Sequence, residues 1–320
     1  MKRIGILTSG GDSPGMNAAI RAAVRCGIEA GMEVYGIYRG YEGLLDGEIK
    51  PMDRSSVGDI LQRGGTMLKT ARSERFRTEE GIRHAVEVLE TFGIEGLIII
   101  GGDGSLTGGL ELSKRGIKVM GLPGTIDNDL AYTDYTIGFD TAVTTVLEAI
   151  SKIRDTSSSH ERTTVVEVMG RHCGDIALYA GLAGGAEAVL IPEIEANLNE
   201  VCQRIVIGAN RGKQHSLVIK AEGVDISSQD LVEAIGRKTG RDTKLVVLSY
   251  LQRGGSPTLR DRLLATQCAA KAIELLKLGF DSKAIGTVNG QIVALDLEEA
   301  LQQEREVNRE IFNLIRVLSK

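Results

Sequence analysis

The sequence predicts an α/β fold with two doubly wound, mainly parallel sheets, each forming its own domain. Short apolar runs alternate with helical patterns through most of the 320 residues, which is typical of parallel strands covered by helices. Several apolar runs end in glycine pairs, as buried strands do where they open onto loops. Because the length suffices for two domains that share a cleft, we expect one at 1–138 plus 251–304 and the other at 139–250 plus 305–320.

The first half begins with an apolar strand at 4–7 that leads into a glycine-rich loop at 8–15. A helix is predicted at 16–30, a strand at 34–37, a helix at 78–92 and a strand at 97–100. A further helical run follows Ser105, and another strand begins at Val119. This regular alternation favours a parallel sheet with helices on both faces.

The second half continues in the same way. Strands are predicted at 164–168, 188–191, 217–221 and 245–248, and helices at 141–155, 198–210, 229–239 and 258–278. A loop is expected at 156–162, and Asn289-Gly290 predicts a hairpin between 283–288 and 291–294. Two charged helical runs follow, and the chain is expected to return to the first domain near Arg253.

Composition excludes several classes of protein. Hydrophobic residues make up 42% and charged residues 25%, which is ordinary for a soluble globular protein. The net charge of −5 gives no basic field for nucleic acid, and no apolar run is long enough to span a membrane. The first residues enter a strand at once, so no signal peptide is expected. We therefore expect a cytoplasmic protein whose cysteines (26, 173, 202 and 268) are reduced structural thiols.

Two strand ends carry glycine together with aspartate. The first is Gly101-Gly102-Asp103-Gly104-Ser105, and the second runs from Pro123 to Asp129 and contains Asp127. Carboxyl ends of parallel strands meet at the edge where open α/β folds bind ligands. A carboxylate beside a phosphate repels it unless a cation lies between them. The pattern therefore indicates phosphate bound through a metal ion, although for either loop alone helix capping and chain turning would explain the residues.

Other phosphate motifs fit poorly. Neither a Walker A loop nor the protein-kinase signatures are present. Gly102, Gly104 and Gly108 resemble a dinucleotide fingerprint, but the acidic residue expected about 20 positions later is missing. Two alternatives stay open: a nicotinamide-dependent oxidoreductase, and a nucleotide sensor without catalytic activity.

The basic residues form two sets. Arg72, Arg162, Arg171 and Arg253 lie in glycine- or serine-rich loops, where arginine more often binds phosphate or carboxylate than water. For a second set, the sequence gives no sign of convergence, and ordinary surface charge is the better explanation of its members from the residues alone: Arg21, Arg25, Arg54, Arg154, Arg211, Lys213 and His215.

The sequence resembles the bacterial ATP-dependent 6-phosphofructokinases along essentially its whole length. The matching motifs are LTSGGDSPGMN (7–17), GGDGS (101–105), PGTIDND (123–129), MGRHCGD (169–175) and QRGGSP (252–257). The resemblance implies a homotetramer with an active site in the cleft between the two domains. It also implies phosphorylation of fructose 6-phosphate at the 1-hydroxyl by ATP, a step of glycolysis.

The resemblance implies roles for individual residues. Asp127 would be the catalytic base, supported by Asp129, and Asp103 would hold Mg²⁺. Thr125, Arg171 and Arg72 would stabilise the migrating phosphoryl group. ATP would contact Gly11, Tyr41, Arg72, Ser73, Gly102, Asp103, Gly104, Ser105 and Gly108.

For the sugar phosphate, the implied residues are Thr125, Asp127, Asp129, Arg162, Met169, Gly170, Arg171, Glu222, Lys244, Tyr250 and Arg253. Of these, Arg162 and Lys244 would reach in from a neighbouring subunit. The second basic set matches the family's effector site between subunits, with Asp59, Gly185 and Glu187 added. ADP would activate there and phosphoenolpyruvate would inhibit.

The chain departs from the family pattern at the sugar pocket. Lys244 stands where the family usually has arginine, and Ser249-Tyr250 replaces a Gly-His pair. Lysine keeps the charge but loses the two-pronged grip on phosphate. A working enzyme with weakened sugar-phosphate binding is one explanation. A paralogue that acts on a related ketose phosphate such as tagatose 6-phosphate, or a regulatory nucleotide-binding subunit, is the alternative.

At the nucleotide site, Ser73 stands where the family has cysteine. Gly104 and Gly124 replace the aspartate and lysine of pyrophosphate-dependent relatives and are expected to leave space for ATP.

Overall fold

The computed structural model describes residues 1–319. The strands are β1 (Arg3–Thr8), β2 (Glu33–Ile37), β3 (Ile49–Met52), β4 (Gly96–Gly101), β5 (Lys118–Thr125), β6 (Ile137–Gly138), β7 (Thr163–Val168), β8 (Ala188–Leu190), β9 (Ser216–Ala221), β10 (Thr243–Val247), β11 (Lys283–Val288) and β12 (Gln291–Asp296). The helices are α1 (Met16–Glu29), α2 (Gly40–Leu45), α3 (Glu79–Thr91), α4 (Asp103–Ser113), α5 (Phe139–Ser159), α6 (Asp175–Ala183), α7 (Leu198–Asn210), α8 (Ser228–Thr239), α9 (Leu259–Leu278), α10 (Leu297–Leu301) and α11 (Arg309–Leu318). Short 3₁₀ turns lie at Arg75–Arg77 and Ser249–Arg253.

The chain divides into two compact units. Unit 1 comprises Met1–Thr141 and Arg253–Arg305, and unit 2 comprises Ala142–Gln252 with the C-terminal segment from Glu306. Helix α5 begins in unit 1 and ends in unit 2, so the boundary passes through its first turn.

The sheet of unit 1 has the order β12-β11-β5-β4-β1-β2-β3, and β6 pairs with β5. The strands from β11 to β2 pair in parallel, whereas β12 and β3 are antiparallel edge strands. From β1 the chain proceeds to β2 on one side and later to β4 on the other. The strand order therefore reverses between β1 and β4, and such a switch point opens a crevice at the carboxyl ends of the strands.

Helices cover both faces of this sheet because its strands are apolar on both sides. In β4, Ile98 and Ile100 join the core beneath α1 and α9, while Leu97 and Ile99 join the core beneath α2, α3 and α4. Alanines line the inner face of α9. No helix within residues 1–319 is both long and apolar enough to cross a bilayer.

Unit 2 contains a parallel sheet of order β10-β7-β9-β8. Helices α7 and α8 pack on one face through Ile205, Leu231 and Ile235, and α6 contacts β9 and α11. The predicted α/β class with mainly parallel sheets is confirmed.

The elements differ from the predictions in places. The loop expected at 156–162 is wrong for its first part, because α5 continues to Ser159. Serines favour helices weakly, but here the Ser157 hydroxyl bonds the Thr164 hydroxyl at 2.7 Å. Tertiary contacts thus outweigh the propensity. The hairpin is confirmed, with β11 and β12 antiparallel and left-handed φ angles of 53° at Asn289 and 73° at Gly290.

A buried carboxylate joins α5 to α9 in unit 1. Asp261 accepts hydrogen bonds from the Gly138 and Thr141 amides, both at 2.8 Å, and from the Thr141 hydroxyl at 2.5 Å. The side chain is 1% exposed. Burial raises the pKa of Asp261 to about 6, although these hydrogen bonds act to lower it. Asp261 therefore fixes the first turn of α5 against the first turn of α9.

Candidate active site

Three loops of unit 1 lie at one edge of the sheet. They follow the neighbouring parallel strands β1, β4 and β5, whose registers pair Thr8 with Ile100 and Gly101 with Pro123. The Ser9 amide donates to the Ile100 carbonyl at 3.1 Å, which joins the first two loops at their base. The prediction that Asp103, Asp127 and Asp129 reach the same edge is therefore confirmed.

Glycine stands at different positions of these loops for different structural reasons. A Cβ at Gly101 would lie 2.6 Å from the Ser105 Cβ and 2.7 Å from the Ser9 carbonyl oxygen, so the β1 and β4 loops approach closely only without a side chain there. At Gly104 nothing lies within 4 Å of such a Cβ, in agreement with an open space. Gly124 is different, because a Cβ would meet Ile100 at 2.9 Å and the Gly101 nitrogen at 3.0 Å. Packing within the sheet therefore requires glycine at position 124, and the space for a ligand does not explain it.

Asp103 suits a magnesium ion. It is the first residue of α4 and is exposed, and within residues 1–319 its side chain has no hydrogen-bond or ion-pair partner. Carboxylate oxygen is a ligand that Mg²⁺ prefers, usually with phosphate oxygens and water completing the shell. No group of three or more His, Cys, Asp or Glu side chains in the described chain could hold a metal without such help. The donor set thus fits a nucleotide-borne metal ion.

The turn that carries Asp127 is rigid. Asp127 is only 4% exposed, and its amide donates to the Thr125 hydroxyl at 3.1 Å. Asn128 adopts a left-handed φ of 55°, and its side-chain oxygen accepts the Thr136 amide at 3.0 Å. The Thr136 hydroxyl then donates to the Thr125 carbonyl at 2.6 Å. Sequence reasoning missed Asn128, although asparagine is among the residues that tolerate this conformation best.

An aromatic pair supports the predicted nucleotide residues. Tyr41 stacks on Phe76 with ring centroids 3.9 Å apart and planes at 9°. The Tyr41 hydroxyl donates to the Ser105 carbonyl at 2.5 Å, and burial raises the pKa of this phenol. A Cβ at Gly108 would lie 2.9 Å from Phe76 and 3.0 Å from Tyr41. The structure therefore brings Tyr41, Ser105 and Gly108 together around Phe76, which the sequence analysis did not identify.

Hydrogen bonds and ion pairs of Arg75 hold the segment that contains Arg72 and Ser73 in place. Arg75 donates to Glu42 Oε1 from Nε at 3.0 Å and from Nη2 at 2.5 Å. A further bond from Nη2 reaches Asp46 at 2.8 Å. Hydrogen bonds from Ser73 and then from Arg75 hold the pKa of Glu42 below its usual value. Arg72 itself is exposed and makes no side-chain hydrogen bond or ion pair within residues 1–319, so its guanidinium is available for an anion.

Arg253 lies against the loop that follows β1. A Cβ at Gly11 would be 3.0 Å from Arg253 Nη1, and Nη1 lies 4.0 Å from Asp12 Oδ1. The loop after Arg253 packs on the segment at 62–65, where the Ser256 hydroxyl donates to the Gln62 carbonyl at 2.8 Å. Gly11 and Arg253 are therefore neighbours within unit 1.

At the carboxyl edge of the unit 2 sheet, four sugar-site candidates lie together. Met169, Gly170 and Arg171 follow β7, and Glu222 follows β9. The Arg171 amide donates to Glu222 Oε1 at 3.0 Å, and the Glu222 amide donates to the Val168 carbonyl at 2.8 Å. Arg171 holds a left-handed φ of 53°, a conformation that costs about 1–3 kcal/mol and is common at functional sites.

Two further candidates lie at the opposite edge of the same sheet. Arg162 Nε is 2.7 Å from Asp242 Oδ2, and Lys244 Nζ is 2.9 Å from Asp242 Oδ1. Lys244 and, less strongly, Arg162 hold the pKa of Asp242 below its usual value. The six residues of β7 separate Arg162 from Met169, which corresponds to about 20 Å. A single chain therefore does not bring Arg162 and Lys244 to Arg171.

Tyr250 lies in the 3₁₀ turn after β10 and is 73% exposed.

The second basic set is partly gathered. In unit 2, Arg154 Nη2 donates to the Gly184 carbonyl at 2.5 Å and the Gly185 carbonyl at 2.7 Å. The buried Glu187 lies two residues further on, and its Oε1 accepts a bond from Lys213 Nζ at 3.0 Å. The members from unit 1 lie on α1 (Arg21 and Arg25) or in the loop after β3 (Arg54 and Asp59), and Arg54 bonds Glu29 at the end of α1. Arg211 and His215 flank Lys213 in sequence.

Comparison with known proteins gives a consistent result. The family model described as Phosphofructokinase matches residues 3–276. The ATP-dependent 6-phosphofructokinase of Clostridium botulinum is 58% identical over 320 residues and covers 100% of both chains. That of Clostridium tetani is 55% identical over 319 residues, again over 100% of both chains.

A solved phosphofructokinase structure from Saccharomyces cerevisiae has a TM-score of 0.89 and 37% identity. It covers 100% of this chain, which in turn spans 48% of the yeast chain, about half its length. With the family model and the full-length relatives, this establishes that the chain belongs to the phosphofructokinase family.

Proposed function

We propose that this chain transfers the γ-phosphoryl group of ATP to the 1-hydroxyl of fructose 6-phosphate, giving fructose 1,6-bisphosphate and ADP in glycolysis. The observation that carries the proposal is the pair of strand ends with the exposed Asp103 and the buried Asp127, next to the switch point of the unit 1 sheet. Full-length relatives at 58% identity bear the name of this activity.

In the proposed reaction, Asp127 takes the proton of the sugar 1-hydroxyl as its oxygen forms a bond to the γ-phosphorus. The bond from that phosphorus to the β-phosphate bridging oxygen breaks, and ADP leaves. Thr125, Arg171 and Arg72 stabilise the charge on the migrating group, and Asp129 supports Asp127. Positioning and charge neutralisation provide most of the catalysis in such transfers, and the rigid turn at Asn128 supports the positioning part.

The nucleotide contacts in the proposal are Gly11, Tyr41, Arg72, Ser73, Gly102, Asp103, Gly104, Ser105 and Gly108. Asp103 would hold Mg²⁺, which neutralises phosphate charge when bound. The exposed guanidinium of Arg72 supports a direct phosphate contact. Tyr41 is mostly buried, and its hydroxyl donates to the Ser105 carbonyl.

The sugar phosphate would bind Met169, Gly170, Arg171, Glu222 and Arg253 of one subunit. Because Arg162 and Lys244 lie at the far edge of the unit 2 sheet, we assign them to the site of a neighbouring subunit. Tyr250 follows the carboxyl end of β10, the edge at which Arg171 lies, and is assigned to the site of its own subunit. The proposed assembly is a homotetramer.

The second basic set would form an effector site that ADP occupies as activator and phosphoenolpyruvate as inhibitor. Both effectors are polyanions, and Arg154 and Lys213 lie beside the turn that contains Gly185 and Glu187. The proposed site consists of Arg21, Arg25, Arg54, Asp59, Arg154, Gly185, Glu187, Arg211, Lys213 and His215.

One assay tests the reaction. ADP formation would be measured with ATP and Mg²⁺ in the presence of fructose 6-phosphate, of tagatose 6-phosphate and of no sugar, and the series would be repeated with pyrophosphate as donor. We expect the highest kcat/KM with ATP and fructose 6-phosphate. A preference for tagatose 6-phosphate would favour the paralogue with an altered pocket, and nucleotide binding without product would favour a regulatory subunit.

The altered residues of the sugar pocket lead to a prediction. Lys244→Arg combined with Tyr250→His should lower the KM for fructose 6-phosphate about tenfold, because arginine adds a charge-assisted hydrogen bond worth roughly 1.5–3 kcal/mol. The KM for ATP should not change. Lys238→Arg, an exposed lysine of the same unit that bonds Asn199, is the matched control. An unchanged KM in the double variant would contradict the assignment of these two residues.

A further inference from the structure

A buried ion pair lies just below the sugar-phosphate loops of unit 2. Lys220 is 2% exposed in the otherwise apolar end of β9, and its Nζ is 3.4 Å from Glu167 Oε2 on the neighbouring strand β7. The register pairs these two residues directly. Ser228, the first residue of α8, donates to the same carboxylate oxygen. Lysine is rarely buried in this way unless it is paired. Glu167 supplies the partner, but the presence of a buried charge pair at this position needs an explanation.

The fold does not need a charge at this position. Two residues nearer the start of each strand, the same face carries Val165 and Val218, which belong to the apolar core beneath α7 and α8. A pair of apolar residues could complete that core, since replacing buried ion pairs in this way often leaves stability unchanged or raises it. The reason for the pair must therefore lie towards the carboxyl ends of the two strands.

In that direction lies the sugar-phosphate edge. Met169 stands two positions after Glu167 and Glu222 stands two positions after Lys220, each just past the end of its strand. Lys220 Nζ also donates to the Ala221 carbonyl at 3.3 Å, the peptide group that precedes Glu222. Glu222 in turn accepts the Arg171 amide. One ammonium thus contacts both the carboxylate of β7 and the main chain leading into the loop of β9.

We propose that Lys220 is a positioning residue for sugar-phosphate binding: its ammonium neutralises Glu167 and orients the peptide that carries Glu222, and through Glu222 the Arg171 loop. Without that ammonium, the uncompensated negative charge of Glu167 would add to that of Glu222 beside the edge where Arg171 is proposed to bind the phosphate dianion. This inference rests on the proposed function, because it assigns the same sugar-phosphate site one more residue.

The test uses the full-length enzyme and separates the two substrates. Lys220→Met should raise the KM for fructose 6-phosphate about tenfold, an effect of the size expected for one uncompensated buried charge near a site, with the KM for ATP unchanged. Adding Glu167→Gln should return the KM for the sugar phosphate to within about twofold of the parent, because both charges are then absent. Lys238→Met on the exposed face of α8 is the matched control and should alter neither constant.

Several results would overturn the inference. An unchanged KM for the sugar phosphate in Lys220→Met is one, and a double variant as impaired as the single one is another. If Lys220→Met does not fold, Ser228→Ala serves instead. This variant loosens Glu167 from Lys220 and should raise the same KM about threefold, and no rise would count against the inference. Absence of ADP formation by the parent with fructose 6-phosphate would instead refute the proposed function.

Discussion

Replacing Asp127 by serine should lower kcat for fructose 6-phosphate about a thousandfold, the range in which a positioned general base contributes. Serine cannot accept the proton of the sugar hydroxyl at neutral pH, while the loop that holds Asp127 keeps the two hydrogen bonds that Thr136 donates to Asn128 and Thr125. Nucleotide binding should therefore persist, and the KM for ATP should stay within about twofold of the parent.

Steady-state kinetics with a coupled ADP assay would measure this loss, and a thermal melt would show whether the variant is folded. Asp281→Asn is the matched control, since this aspartate is exposed in the same unit and lies outside the proposed site. Turnover by the serine variant at the rate of the parent would mean that Asp127 is not the base.

Replacing Asp261 by alanine should lower the free energy of unfolding by about 4 kcal/mol, because two buried amides and a hydroxyl lose their acceptor. The change should appear as a large fall in Tm with Asp281→Asn again as control. A Tm within about 2 °C of the parent would show that α5 and α9 stay joined without this carboxylate.

The same residue predicts a pH dependence. The pKa of Asp261 is about 6 in the folded chain, above its ordinary value of 3.8, so the folded state binds the proton more tightly. Between about pH 4 and 6 the parent should therefore lose stability as the pH rises, by up to about 3 kcal/mol relative to Asp261→Asn, and the difference should be constant above this range. A stability difference that does not vary with pH would mean that burial does not raise this pKa.

Much of the fold followed from local pattern. Leu97–Ile100 with its glycines, and the hairpin at Asn289-Gly290, carry strong short-range signals, and the structure has them where the sequence indicates. The end of α5 was missed because contacts such as Ser157 with Thr164 are made across the fold. Helix α6 was not predicted, since its uniformly apolar sequence lacks the periodicity that marks an exposed helix.

Some residues of the candidate site could be predicted from the sequence, and others could not. Asp103 and Asp127 stand in motifs that identify strand ends, so their shared edge could be deduced from spacing. Asp242, which binds Arg162 and Lys244 together, and Phe76, which stacks on Tyr41, have no such signal. Their partners are distant along the chain or lie on another element, and only the folded structure reveals them.

The separation of Arg162 from Arg171 by the length of β7 has a consequence for mixtures of defective chains. If each catalytic centre takes Asp127 from one chain and Arg162 from another, an Asp127→Ser chain and an Arg162→Ala chain are defective in different halves of a shared centre. Co-refolded hybrids of the two should regain activity that neither variant shows alone. If instead each centre were formed by a single chain, the activity of the mixture would equal the sum of the two residual activities. If the proposed centre is shared between subunits, complementation between two defective copies follows from the length of β7.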